Sequence, residues 1–338
     1  MSAVNIKQLA QQLNLSISTV SRALNDGYDI SPQTKKKVLE LAKKLNYQPN
    51  PFASSLRKHK SKTIAIVVPE IANNFFTLAI NGIQSVAREK GYHVLIYVTN
   101  ESDEVESQAL SHFQNGRVDG VLISVSSKTI NDDALLNIQK QGLPLVFFDR
   151  VRDEFDTSKV TTDDFDSGFK ATEHLIQQGC KRIAYLLISK NLSIGINRMQ
   201  GYLEALNKHH IRQDKKLIIE CTNDRDKNYA LIENLLSGRQ RPDGIFASVE
   251  HLAITSYHVC RALKLSIPKD VKIISFSNLE TAPLLNPSLT TITQPAFDIG
   301  KEAATTLLKA LTKKGYKLPN SKLVLPSKLI PRDSTAKI

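Results

Sequence analysis

The chain has 338 residues, 41% of them hydrophobic, enough to bury more than one core. It carries +12 at neutral pH, and eleven Lys and Arg against three acids place +8 of that within residues 1–62. No apolar run approaches the ~18 residues of a membrane-crossing helix, which excludes such spans, and the opening MSAVNIKQLAQQ lacks the apolar stretch of a secretion signal.

The basic N-terminal stretch reads as three short helices. Asn5 is a cap for a helix over residues 5–13, with Ile6, Leu9, Ala10 and Leu13 on one face. Ser16 caps a second helix, Ile17 to Leu24, which ends at the turn signal Asn25-Asp26-Gly27. Ser31-Pro32 opens a third, in which Val38, Leu41, Ala42 and Leu45 repeat at helical spacing to about Asn46. Two short helices joined by a tight turn and closed by a third form a helix-turn-helix unit. On the second helix Val20 and Ala23 point to the core, while Ser18, Ser21 and Arg22 lie opposite with Ile17 at their edge. Arg22 has the donor pair for guanine O6/N7, Ser18 suits a base edge and Ile17 a thymine methyl. Ser16, Thr19, Ser31 and Thr34 supply hydroxyls for phosphates, and Asn25 completes this candidate set. A small helical bundle with a solvated basic face is the plainer alternative.

Residues 49–58 read PNPFASSLRK. Asn50 and Pro51 open a helix of about two turns, too short to stand alone in water. DNA and a second copy of the segment would stabilise it, with Leu56 as a minor-groove wedge. Asn50, Ala53 and Leu56 are the DNA-contact candidates here; a plain linker is the alternative.

Beyond residue 62, strand-like runs alternate with amphipathic helical patterns. The runs lie near Thr63–Val68, Tyr92–Val98, Gly120–Ile123, Leu145–Phe148, Arg182–Ile188, Leu217–Cys221, Gly244–Ala247 and Val271–Phe276. This alternation predicts parallel sheets covered by helices, and its length predicts two lobes. Cys180, Cys221 and Cys260 have no metal or redox spacing and read as buried thiols of a cytoplasmic protein. Phosphate-loop, dinucleotide-fold, zinc-helix and nucleophile-elbow motifs are missing, and the eight histidines have no ligand spacing, so neither cofactor nor metal is expected. Cleft candidates follow the strands, where open α/β sheets bind ligands. Asn73, Asn74, Phe75 and Phe76 follow the first strand, and Asp149-Arg150 ends the fourth. A phenyl ring suits a sugar face and a carboxylate suits its hydroxyls; core packing and an ion pair within one lobe are the alternatives.

The ordered motifs S-x-S-T-V-S-R-A-L-N, L-N-Y-x-P-N, A-S-S-L-R and S-K-T-I-A-I-V-V-P make the chain similar to the lac-repressor/gal-repressor family of bacterial regulators. The resemblance covers nearly the whole chain. It implies an N-terminal all-α helix-turn-helix domain (1–48), a hinge helix (49–61) and an α/β periplasmic-binding-protein-like body (62–330). Lobe one is expected at 62–161 plus 293–321, and lobe two at 162–292 plus 322–330. It further implies that Ile17, Ser18 and Arg22 read bases and that Leu56 intercalates at the operator centre. Ser54 departs from the longer polar or basic residue frequent in the family. Arg198, in NRMQGYLEAL, matches the family's R-x-x-G-[YF] motif and is the implied effector contact; a surface ion pair is the alternative. Thr162, Asp163 and Gln294 match family segments near the lobe crossings. Two positions depart from the pattern: Val249-Glu250 replaces an Asn-Asp pair, and Ser277-Asn278 follows the strand where an Asp is usual. Both changes are expected to remove polar groups from the pocket, with Ser277 kept as a candidate.

The resemblance implies a non-enzymatic repressor, a homodimer on double-stranded operator DNA, controlled by a sugar-like effector. The chain ends soon after Pro331 without a leucine heptad, so no tetramerising tail is expected. A stand-alone sugar-binding protein fits the body but not the basic N-terminal unit. A sugar hydrolase using Asp149 and Asp163 has no motif behind it.

Overall fold

The computed structural model describes residues 5–47, 60–113, 116–128 and 132–337. It divides into two compact units, Met1–Ser61 and Lys62–Ile338.

In the first unit, helices α1 (Ile6–Leu13), α2 (Ile17–Leu24) and α3 (Pro32–Lys44) follow the expected pattern. Each start is closed by a side chain. Asn5 and Gln8 form a reciprocal capping box, Ser16 accepts from the Thr19 N–H, and Ser31 accepts from the Thr34 N–H. Asn14 ends α1 at φ 52°, a left-handed conformation that Asn tolerates. The core is small: Leu9, Ala10, Val20, Ala23, Val38 and Ala42.

The second unit holds two six-stranded sheets. Strands are β1 (Thr63–Val68), β2 (His93–Val98), β3 (Gly120–Ile123), β4 (Leu145–Phe148), β5 (Lys159–Thr162), β6 (Ile183–Leu187), β7 (Ile218–Glu220), β8 (Gly244–Ala247), β9 (Lys272–Phe276), β10 (Thr290–Thr293), β11 (Lys322–Leu325) and β12 (Lys328–Ile330). Sheet one runs β11-β5-β4-β3-β1-β2, and sheet two runs β12-β10-β9-β8-β6-β7. Every pair is parallel except β10–β12, which is antiparallel. Inner strands such as β3, β4 and β8 are buried at every residue, as sheets covered on both faces require.

Helices cover both faces: α4 (Asn74–Glu89), α5 (Asp103–Phe113), α6 (Asp133–Lys140), α7 (Asp164–Gln177), α8 (Ser193–Lys208), α9 (Arg225–Ser237), α10 (Glu250–Ala262) and α11 (Ala296–Thr312). Two tight crossings repeat between the lobes. On lobe one, Gly82 of α4 brings its backbone against the carbonyl of Phe297 on α11. On lobe two, Gly201 of α8 lies against the carbonyl of Phe165 on α7. A methyl group at either glycine would collide with that carbonyl oxygen.

The lobe assignment needs one correction. Residues 322–330 were expected together on lobe two. Instead Lys322–Leu325 pair with β5 in sheet one, and only Lys328–Ile330 join sheet two. The chain crosses at Pro326-Ser327, because the proline interrupts what reads as one apolar run. The strands at Lys159–Thr162 and Thr290–Thr293 were not among those read from sequence. Their Thr and Lys residues hide them, although both are buried in the fold.

Cys180, Cys221 and Cys260 are free and buried, and burial pushes each thiol up to about 12. No helix among the described residues is long and apolar enough to cross a membrane, and no cluster there could hold a metal ion.

Candidate functional site

The first site is the outward face of α2. Val20 and Ala23 are buried, while Ile17, Ser18 and Arg22 are exposed and Ser21 is half-buried. Ile17 leaves 41% of its surface open, next to Ser18 and Ser21 on the same face. Arg22 is not idle: its Nη1 pairs with Asp29 and its Nε donates to the Ser18 carbonyl at 3.4 Å. Ser16, Ser18 and Thr19 share a hydroxyl cluster with 2.8 Å spacings, and Ser31 and Thr34 form a second at 2.9 Å. Asn25 Nδ2 donates to the Ser21 carbonyl at 2.7 Å, anchoring the end of α2. These groups occupy one surface with the polarity that a phosphate backbone and base edges require. Asn50, Ala53 and Leu56 lie outside the described residues.

The second site is the cleft between the lobes, built at the carboxyl ends of strands. Arg198 is its centre. It sits on α8 with its side chain 2% exposed. Its Nε donates to Asp164 Oδ1 at 2.7 Å, and its Nη1 donates to the Ser248 carbonyl at 2.6 Å. The guanidinium lies 3.6 Å above the Phe276 ring. Its remaining nitrogen, Nη2, is buried with no hydrogen-bond partner among the described residues. A buried donor left unmade costs ~1–3 kcal/mol. That cost marks a position for an acceptor from outside the chain.

Arg150 mirrors this on lobe one. Its Nη1 donates to Glu101 Oε1 at 2.7 Å, the guanidinium carbon stands 5.7 Å from the Phe76 ring, and Nε is buried and unpaired. Glu101 is held in turn by the Ser127 N–H at 2.6 Å. Although burial pushes its carboxyl up, Arg150 and the Ser127 bonds hold it below the usual carboxylate range. Asp149 adopts φ 59°, which turns its carboxyl into the cleft. Burial raises its pKa against the opposing pull of Arg150 and Arg198. Gln294 reaches across from its lobe crossing and donates to Asp149 Oδ1 at 3.4 Å. Asn278 Nδ2 donates to the Gln294 carbonyl at 2.7 Å, leaving Asn278 Oδ1 buried and unpaired.

The apolar walls come from Phe75 and Phe76, packed edge to face with centroids 5.3 Å apart, and from Phe276. Asn73 caps α4 by accepting the Phe75 N–H at 2.9 Å, which fixes both rings at the cleft. The space enclosed is about 30 Å³. That suits one or two waters and no sugar ring.

Six of the eight effector candidates meet at this cleft: Phe75, Phe76, Asp149, Arg198, Ser277 and Gln294. Thr162 and Asp163 lie beside it, lining with Asp149 and Asp164 a neighbouring space of about 230 Å³. Thr162 Oγ1 donates to the Leu325 carbonyl at 2.9 Å, and Asp163 Oδ1 accepts the Ser327 N–H at 2.7 Å. Both tie two chain crossings together. The surface ion pair considered for Arg198 is set aside, since the pair with Asp164 is buried. The expected loss of polar groups at Val249 and Ser277 is corrected as well. Glu250 lines the cleft and accepts from Ser277 Oγ at 2.8 Å, so a longer carboxylate replaces shorter polar groups. Arg150 was named only together with Asp149, and Glu250 and Phe276 were not singled out as contacts; each sits at or just beyond a strand's carboxyl end, the one signal available for them.

Residues 5–50 match the model described as bacterial regulatory proteins, lacI family, and residues 172–335 match the periplasmic binding protein-like domain. The HTH-type transcriptional regulator RegA of Clostridium saccharobutylicum is 32% identical over 334 residues, 98% of this chain and 99% of that protein. The chain belongs to the lacI family of bacterial regulatory proteins. The ribose operon repressor of Halalkalibacterium halodurans is 31% identical over 330 residues, covering 98% of this chain and 96% of that one. A lacI-family regulator from Enterococcus faecium, solved with bound ribose, superposes with a TM-score of 0.72 at 28% identity. It covers 82% of this chain and 99% of its own. This lacI-family protein is therefore a DNA-binding transcription regulator, in a family of regulators and not of enzymes.

Proposed function

We propose that this lacI-family regulator is a repressor, binding a near-palindromic operator as a homodimer in the cytoplasm and responding to a small sugar held between its lobes. Residues 1–48 read the major groove, residues 49–61 form the hinge, and the rest senses the effector. One observation carries the effector half: Arg198, fixed by Asp164, Ser248 and Phe276, keeps a buried Nη2 unpaired at a cleft lined from both lobes. The cleft offers cationic donors in Arg150 and Arg198, acceptors in Asp149, Glu250 and Asn278, and flat phenyl faces. That mixture suits a polyhydroxylated ring, which has hydroxyls around its edge and C–H faces above and below. The repressor and ribose relatives support the same reading.

The effector and the operator bias one two-state element, the angle between the lobes. Coupling of ~1–3 kcal/mol is typical, about 5- to 150-fold in affinity. The test is operator binding by fluorescence anisotropy across a panel of pentoses and hexoses, on the wild type and Arg198→Lys. A sugar that shifts wild-type affinity but not that of the variant is expected. An unchanged response in Arg198→Lys removes Arg198 from the effector site.

A further inference from the structure

A larger cavity opens beside the Arg198 cleft. It measures about 450 Å³, against about 30 Å³ for the cleft, and Asn73 and Glu250 line both. Its size falls within the range of small-molecule sites, ~300–1,000 Å³. The loop after β1 supplies Glu70, Ala72 and Asn73 from lobe one, and the first turns of α9 with one face of α10 supply most of the wall from lobe two.

The chemistry of this antechamber selects a ligand class. Tyr229 and Leu279 pack against the core and present apolar surface to the cavity beside Ile254. Among the described residues, the Arg225 guanidinium, the His251 and His258 rings and the Tyr229 hydroxyl enter no hydrogen bond or ion pair. These are donors in waiting. Three carboxylates, Glu70, Asp226 and Glu250, line the cavity against the single guanidinium of Arg225 among its lining residues. That balance repels a phosphate or a carboxylate and accepts a neutral ring with an apolar face and a hydrogen-bonding edge.

We infer that the antechamber holds the second ring of a neutral glycoside whose first ring lies in the Arg198 cleft. This rests on the sugar reading of the cleft and extends it: the effector has two rings, and Glu250, with Ser277 on its carboxylate, stands at their junction. Because Glu70 and Asn73 come from the other lobe than Tyr229 and Ile254, the second ring also bridges the lobes.

The test uses the full-length protein and titration calorimetry with two matched pairs, D-ribose with cytidine and D-glucose with cellobiose. In the wild type, one two-ring probe is expected to bind about tenfold or more tightly than its one-ring partner, a gain of ~1.4 kcal/mol. Thr255→Trp fills the antechamber and is expected to erase that gain while leaving one-ring affinity within about twofold. Tyr229→Ala, which opens space instead of filling it, should lose about three- to tenfold for the two-ring probe alone. Unchanged operator binding verifies that each variant is folded. One-ring probes that bind as tightly as their partners, or a gain that survives Thr255→Trp, overturn the proposal and leave the cleft reading standing. Arg198→Lys should weaken both members of the pair. If it weakens neither while Thr255→Trp abolishes binding, the cleft reading fails and the antechamber is a separate site, which also overturns the two-ring proposal.

Discussion

Arg198 and Asp164 form a fully buried ion pair, Nε to Oδ1 at 2.7 Å, between two helices that cross at glycine. Neither charge has water to fall back on, so each depends on the other. Arg198→Ala would leave Asp164 buried without its cation, at ~3–5 kcal/mol. The expected result is a drop of that size in denaturant unfolding. Adding Asp164→Asn should recover part of it, and strict additivity in this double-mutant cycle would refute the coupling.

The same pair gives a pH dependence. Burial raises the Asp164 carboxyl from 3.8 to about 6, with Arg198 opposing. The folded state therefore holds a proton between about pH 4 and 6 that the unfolded chain has released, so this group's contribution to stability falls as pH rises through that window. Wild-type unfolding free energy should show that decline, and Asp164→Asn should show less of it. Identical profiles would remove Asp164 as the source.

Arg22 binds Asp29 in the absence of DNA and must exchange that partner to reach a base. Arg22→Ala is expected to cost ~1–3 kcal/mol on the specific operator and far less on random DNA. Equal losses on both would make Arg22 a phosphate contact only.

At the crossing of α7 and α8, Gly201→Ala drives a methyl against the Phe165 carbonyl, which belongs to backbone and cannot swing aside. Overpacking of this kind costs ~1–3 kcal/mol. Because Arg198 lies one turn away on the same helix, effector affinity should fall along with the melting temperature. A variant that melts lower but binds effector unchanged would separate the crossing from the site.

Much of this molecule was readable before any coordinates. The helix-turn-helix declared itself through Asn5, Ser16 and Ser31, because caps are local and need only neighbours in sequence. Eight strands showed as apolar runs for the same reason. What stayed hidden was long-range. The motif pointed to Arg198, but nothing local showed that Arg150 and Arg198 are buried on carboxylates, because Glu101 and Asp164 arrive from 49 and 34 residues away. Thr162 and Asp163 were named by a match to family segments, and their bonds to Ser327, over 160 positions on, had no local signal. β5 and β10 escaped because threonine-rich strands have no apolar signature.

The three passages of the chain between lobes, at Asp163, at Gln294-Pro295 and at Pro326-Ser327, also decide what kind of movement the sensor can make. Two of them are bolted together by Asp163 and Thr162 on Ser327. Three short straps restrain sliding of one lobe over the other and leave bending at the crossings as the freer motion. A ligand that props or pulls the lobes can then convert its grip into rotation about a single axis, so sugars of different shape would set different angles along one path.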